Sequence, residues 1–255
     1  MKGDEPMRQQ TAAVVAAAIG LLVVACSSSD HSSPASSTTT TTSSRHPVAE
    51  AALEGFLLSP AEIDTTMGVT GMTIQQKGDA MSDDSNKKWP NGWTWPAECL
   101  YAFAPAEGPV YLGSGFSAIR GQFDTVPAAN GPNDPAAPSV TQAVVLFPSS
   151  NEALAFYTAS SQRWPACADR RFTTPSDADT HDAAWHVGPL STTNATLSTT
   201  LTMTMTGAGI NVSGACQRAL TVRNNVAIDT CTCSNNPGDT AVSVANRIAA
   251  KVDKQ

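Results

Sequence analysis

CQRALTVRNNVAIDTCTC, residues 216–233, is the stretch whose reading decides the fold. Two runs rich in apolar and β-branched residues, 216–223 and 226–233, flank Asn224-Asn225. Asparagine tolerates positive φ, so this spacing predicts a β-hairpin closed by a type I′ turn. A two-residue loop fixes the pairing: Arg223 faces Val226, Arg218 faces Cys231, and Cys216 faces Cys233. The last is a non-hydrogen-bonded pair, where Cα atoms approach to about 4.5 Å, within disulfide range. Joining Cys216 to Cys231 instead needs a slip of two residues. Cys99 and Cys167, each in a proline-bounded segment, remain for a second bridge, which restrains the unfolded chain by about 4 kcal/mol. Cys231 is left over, either buried and inert or open to intermolecular exchange; the inert state is the expectation.

Outward from the hairpin, Phe116–Phe123 alternates apolar and polar residues, and Thr141–Phe147 (TQAVVLF) reads as a second, more buried strand. From Ala195 on, Leu197, Leu201, Met203 and Met205 share one face and Thr200, Thr202, Thr204 and Thr206 the other, again a strand pattern. Residues 75–96 read as a polar, turn-rich loop, and 124–139 as a proline-rich one. Ser59-Pro60-Ala61-Glu62 has capping-box spacing with Pro at the first helical position, and Gly68 suits a left-handed helix end. Ser149-Ser150-Asn151-Glu152 repeats that spacing before a helix that Pro165 stops. A short helix is expected from Pro96 to Phe103. Asn236-Pro237-Gly238-Asp239 caps a final amphipathic helix whose apolar stripe is Ala241, Val244, Ala245, Ile248 and Val252. The pattern predicts α+β: a single domain with a central antiparallel sheet flanked by helices and two disulfides.

Residues 12–25 (AAVVAAAIGLLVVA) are too short to span a bilayer, which takes about 20 residues, but match the apolar core of a secretory signal. Lys2 and Arg8 precede it, and Met7 would make a cleaner start than Met1. Leu22-Val23-Val24-Ala25-Cys26 resembles a bacterial lipobox, which implies diacylglyceryl (palmitate-type) modification of Cys26 and cleavage before it. Between residues 27 and 44, 14 of 18 are Ser or Thr, a composition that cannot bury enough apolar surface to order itself. The expected division is therefore a signal peptide over 1–25, a lipidated Cys and flexible tether over 26–46, and one domain over 47–255. The tether's hydroxyl density also makes it an expected glycosylation target.

Charged residues are only 15% and the net charge is −7, with 15 Lys and Arg scattered along 255 residues. Phosphate binding needs a clustered basic face, so nucleic acid is not an expected partner. Catalytic signatures are thin. Gly113-Ser114-Gly115 lacks the spacing of a nucleophile elbow and reads as a turn before a strand. His181, Asp182 and His186 lack a third spaced ligand, so no metal or cofactor is expected. Asp83-Asp84 is a carboxylate pair that a polar loop also provides for solvation alone. Trp89, Trp93 and Trp95 suit a sugar-stacking platform or an envelope-facing wedge, although a loop folded over its own rings is commoner. Trp164 and Trp185 are expected in the core.

Several stretches together resemble the PknH-like extracellular sensor domain family: LLSPAEIDTTMG (57–68), ECLYAF (98–103), YLGSGFSAIRGQ (111–122), QAVVLFPS (142–149), QRWPACADR (162–170) and ACQRALTVRNNVAID (215–229). In mycobacteria that family forms the outer domain of receptor kinases and free-standing lipoproteins. The resemblance implies an antiparallel α+β fold, a polar-lined cleft, extracytoplasmic ligand sensing, and disulfides at Cys99, Cys167, Cys216 and Cys233. Cys231 and the three-tryptophan loop depart from it, and no kinase motif occurs here. Arg120, Gln142, Arg163, Gln217, Arg218 and Arg223 fall within the matching stretches. Arg and Gln projecting from a rigid sheet suit a binding pocket, so these six are the candidate ligand residues, with Arg120, Gln142 and Arg218 expected to converge.

The expected function is a non-catalytic, membrane-anchored sensor lipoprotein on the outer face of the cell membrane. Its expected ligand is small and polar, anionic or glycan-like. A carrier of envelope lipid and a secreted hydrolase are the rival readings. The first needs a deep apolar cavity and the second a converged nucleophile, base and oxyanion donor.

Overall fold

Asn224 takes φ of 52° and closes a hairpin in which Arg223 pairs with Val226 and Cys216 with Cys233, the expected register. Positive φ falls on Asn224 alone of the two asparagines, so the turn departs from type I′. Asn225 is instead held by its own amide, which accepts from Val48 N and donates to Val48 O and Phe147 O. This computed structural model describes residues 46–89, 92–127, 137–175, 182–207 and 210–255. Cys26, the signal segment, the tether before His46, and His181 lie outside them.

In chain order, a 3-10 segment (Glu50–Phe56) precedes α1 (Pro60–Met67) and β1 (Thr73–Gly78). Then come α2 (Leu100–Phe103), α3 (Gly108–Tyr111), β2 (Ala118–Thr125), β3 (Ser139–Leu146) and α4 (Ser150–Arg163). Strands β4 (Arg171–Thr174), β5 (Asp182–Val187), β6 (Ser191–Thr193), β7 (Thr196–Gly207), β8 (Ile210–Arg223) and β9 (Val226–Ser234) lead to α5 (Thr240–Val252). They form one antiparallel sheet in the order β1-β2-β3-β9-β8-β7-β5-β4, with β6 paired to β7. The α+β expectation holds, with both helix starts capped by Ser59 and Ser149 and Gly68 left-handed after α1.

Strands β1, β4, β5 and β6 were not legible. β1 runs into the segment 75–96 expected as a loop, because every residue of it is exposed and no apolar alternation marks it. The sheet buries both faces. On one, α5, α1 and the 3-10 segment cover Val140, Val144, Ala219 and Ile228. On the other, α2, α3 and α4 pack over Ile119, Ala143, Val145, Leu220 and Ala227, around the fully buried Trp164. Trp185 is only half-buried, short of the core position expected for it. Disulfides Cys99–Cys167 and Cys216–Cys233 are both present, and Cys231 is buried.

Candidate functional site

A cleft of about 600 Å³ opens on the α2/α3 side of the sheet, over β2 and β3. Its floor is Ile119, Gly121, Phe123, Thr141 and Ala143; its walls are residues 76–84 and 104–106. Strand alternation puts Gly121 and Thr141 toward the cleft, leaving polar and glycine positions where a fully covered strand would carry aliphatic ones. Asp79, Asp83 and Asp84 stand exposed on the wall, and the one cation of the lining, Lys77, pairs across from Gln122 and turns its ammonium to Glu54 of the 3-10 segment on the opposite face.

Both walls are pinned from beneath. Buried Glu107 accepts from Ser82 Oγ at 2.9 Å and from Ser85 N at 3.3 Å. Ser82 also exchanges backbone bonds with Ala106 and Gly108. Asp229, on β9, accepts from Ala106 N at 2.8 Å and Tyr111 Oη at 2.9 Å, and forms a buried ion pair with Arg218. Burial, reinforced by the Asp229 carboxylate, pushes the Tyr111 hydroxyl well above its ordinary pKa, so it stays a donor. Arg218 Nη1 also donates to the carbonyls of Ala219 and Thr230, Nη2 donates to that of Ala104, all at 2.9–3.0 Å, and the guanidinium lies over the Trp164 ring. Arg218 thus holds the cleft wall and does not line the cleft.

The other candidate residues are tie points as well. Gln142 borders the cleft, but its amide turns to the opposite sheet face, where it accepts from Leu58 N and donates to Leu58 O. Beside it lies buried Asp124, whose carboxyl is raised by desolvation against the donation from Gln122 and Gln142. Arg120, on that same face, bonds Glu50. The expected Asn236–Asp239 start puts Asp239 at the N-cap position without a side-chain cap bond; Gln217 accepts from Ala241 N and Val242 N instead, while its amide nitrogen donates to Asp239. Arg223 approaches Asp253 beyond the far end of that helix, and Arg163 stacks on Tyr101. Arg120, Gln142 and Arg218 therefore do not meet in one cleft. Polar residues that interrupt an apolar strand suggest a pocket; here neighbouring backbone, buried carboxylates and, for Gln217, the start of α5 claim them instead.

What the sequence marked only weakly is the acidic wall, of which Asp83-Asp84 was one part. Lys77, Asp79 and Ser82 carry no signal of their own, because nothing local shows that their loop folds back over β2.

Comparison with known proteins adds the family. The PknH-like extracellular domain family matches residues 48–251. The chain belongs to that family. Two full-length relatives are the serine/threonine-protein kinases PknH of Mycobacterium bovis and Mycobacterium tuberculosis, each 32% identical over 82% of this chain. The match covers 32% and 30% of those kinases respectively, so this chain spans about a third of their length. The crystal structure of the extracellular domain of PknH from Mycobacterium tuberculosis is similar, at TM-score 0.66 and 29% identity, over 82% of this chain and 99% of that domain. As a member of the PknH-like family this chain is an extracytoplasmic domain, and its fold is that of the family.

Proposed function

We propose that this chain is a lipid-anchored, non-catalytic lipoprotein of sensor type, whose cleft over β2 and β3 takes a small polar ligand. One observation carries the reading: a cleft of about 600 Å³, in which Gln76, Asp79, Ser82, Asp83, Asp84 and Thr141 interrupt an otherwise apolar lining, is set on the sheet with its wall fixed by the buried Arg218–Asp229–Tyr111 network. Rigid walls hold recognition groups without an ordering cost at binding. Three aspartates against one paired lysine disfavour the anionic ligand expected from arginine, and favour a neutral or cationic polar one. The carrier reading is the less favoured one, since Gln76, Asp79, Ser82, Asp83, Asp84 and Thr141 break up the apolar lining that an acyl chain needs.

The anchoring follows the Cys26 lipobox and the Ser/Thr tether, with 1–25 removed, 26–46 as tether and 47–255 as the displayed domain. Two or three acyl chains on one cysteine suffice for stable attachment. Native mass spectrometry of domain purified from its envelope tests the ligand, with Gly121→Trp as control. A Cβ at Gly121 meets only ordinary contacts, with Gln142 O and Gly78 O both at 3.9 Å, so the backbone there accepts a side chain, and the indole is placed to block the cleft. A retained small molecule in the parent and none in the variant is the expected result. Retention by both overturns the cleft assignment.

A further inference from the structure

The tryptophans that depart from the family pattern form a second compartment beside this cleft. Trp93 packs edge-on against Trp89 (5.3 Å between centroids, 76° between planes) and Trp95 (5.2 Å, 70°). Trp95 lies 4.1 Å from Phe103, which reaches Phe172 on β4 and Trp185 on β5. The loop is thus folded over its own rings, as the commoner expectation had it, but it is also moored to the sheet. Cys99–Cys167 fixes the start of α2 next to it.

The rings do not fill their own space. A pocket of about 280 Å³ remains, lined by Trp89, Trp95, Leu100 and Phe103, with Asp84 and Lys87 among its polar members. Asp84 and Ala104 line both this pocket and the cleft, so the two share a wall. Trp89 Nε1, Trp95 Nε1 and Ser85 Oγ, all on pocket-lining residues, are withdrawn from solvent with no hydrogen-bond partner.

We infer that the Trp89–Trp95 pocket is a subsite for one ring of a neutral oligosaccharide whose remaining rings lie in the adjoining cleft. The inference rests on the cleft being a ligand site and names its ligand class. A sugar ring presents a C–H face that packs on an aromatic plane and a rim of hydroxyls that both donate and accept. The pocket matches this, with indole and phenyl surfaces inside and a carboxylate, an ammonium and a hydroxyl around them. Its volume falls just below the range of small-molecule pockets, roughly 300–1,000 Å³, the size for one ring rather than a chain. Charged ligands fit less well. A cation meets the Lys87 ammonium, which already stands 4.9 Å over the Trp89 ring. An anion meets Asp79, Asp83 and Asp84. An acyl chain meets the same carboxylates on leaving the pocket.

The test is tryptophan fluorescence of the purified domain titrated with cello-, malto-, chito- and mannohexaose, with choline and anionic phospholipid vesicles as competing probes. The expected result is a saturable shift with at least one hexasaccharide and with neither competitor. Trp89→Ala or Trp95→Ala should weaken that binding at least tenfold, read by calorimetry, and Gly121→Trp should abolish it. Because an alanine variant can loosen the loop, Trp89→Phe, which keeps a ring face, should retain most of the affinity. Equal binding by parent and tryptophan variants overturns the subsite and leaves the cleft standing. Binding of choline or vesicles in place of every hexasaccharide overturns the ligand class alone. If no hexasaccharide binds and the native mass spectrum of the parent is also empty, both readings fall.

Discussion

Arg218 is 2% exposed, and its ion pair with Asp229 is buried with it. A buried pair contributes little net stability, but removing one partner strands the other charge and costs about 3–5 kcal/mol. Arg218→Ala should therefore lower the unfolding free energy by about that much, measured by denaturant titration. A loss below about 1 kcal/mol would show that the pair is solvated. Arg218→Lys keeps the charge but not the planar fork that serves three carbonyls, and should recover only part of the loss. Cys231 makes a separate prediction. Burial pushes its thiol from 9.0 up to about 11, so the folded state keeps a proton that the unfolded chain releases earlier. That contribution is complete below pH 9 and fades as pH rises toward 11. The domain should thus lose stability across that window more steeply than Cys231→Ala does. Parallel melting curves for the two across pH 8.5–11 would sink the account. At neutral pH, native alkylation should leave Cys231 unmodified.

At the scale of elements, the last helix depends on the sheet for its start. Gln217 supplies the acceptor that Asp239 does not, so Gln217→Ala leaves the buried Ala241 N–H and the partly buried Val242 N–H of α5 without that partner. The cost should be about 1–2 kcal/mol, with faster amide exchange confined to the first turn after Thr240. Exchange that rises evenly along the helix would point to a packing defect instead. The Cys99–Cys167 bridge spans 68 residues and links the start of α2 to the end of the 3-10 turn Trp164–Cys167 that follows α4. Replacing both cysteines with serine should cost about 2–5 kcal/mol and loosen the wall that carries the tryptophans. Most elements were legible because their signals are local. Capping-box spacing located α1 and α4, and the two-residue turn set the β8–β9 register. β1 and β4 were not, because edge strands with polar or exposed residues show no alternation. β6 was missed although Asn194-Ala195, both at positive φ, make a tight turn between Thr193 and Thr196. Ala at such a position is no turn signal.

For the whole molecule, the folded domain and its anchoring are separate questions. Cys26→Ala should release the protein from membrane fractions, or leave an unprocessed precursor, with the domain's melting temperature unchanged. A variant that fractionates and migrates as the parent does would overturn the lipobox reading. The sequence by itself determined the fold class, the register of the central hairpin and with it the Cys216–Cys233 bridge, because period, turn length and capping act over a few residues; Cys99–Cys167 followed only as the remaining pair. Tertiary structure alone decided where the polar side chains went. Gln142 reaches Leu58, 84 residues away, and Arg218 reaches Ala104, 114 residues away. A buried polar group must find a partner or lose a hydrogen bond's worth of free energy, so the nearest packed backbone claims it before any ligand can. Which backbone that is depends on elements far apart in the chain, and no local pattern records it. The cleft arose the same way, from a loop folding back over β2 and β3 at positions that carry glycine and threonine.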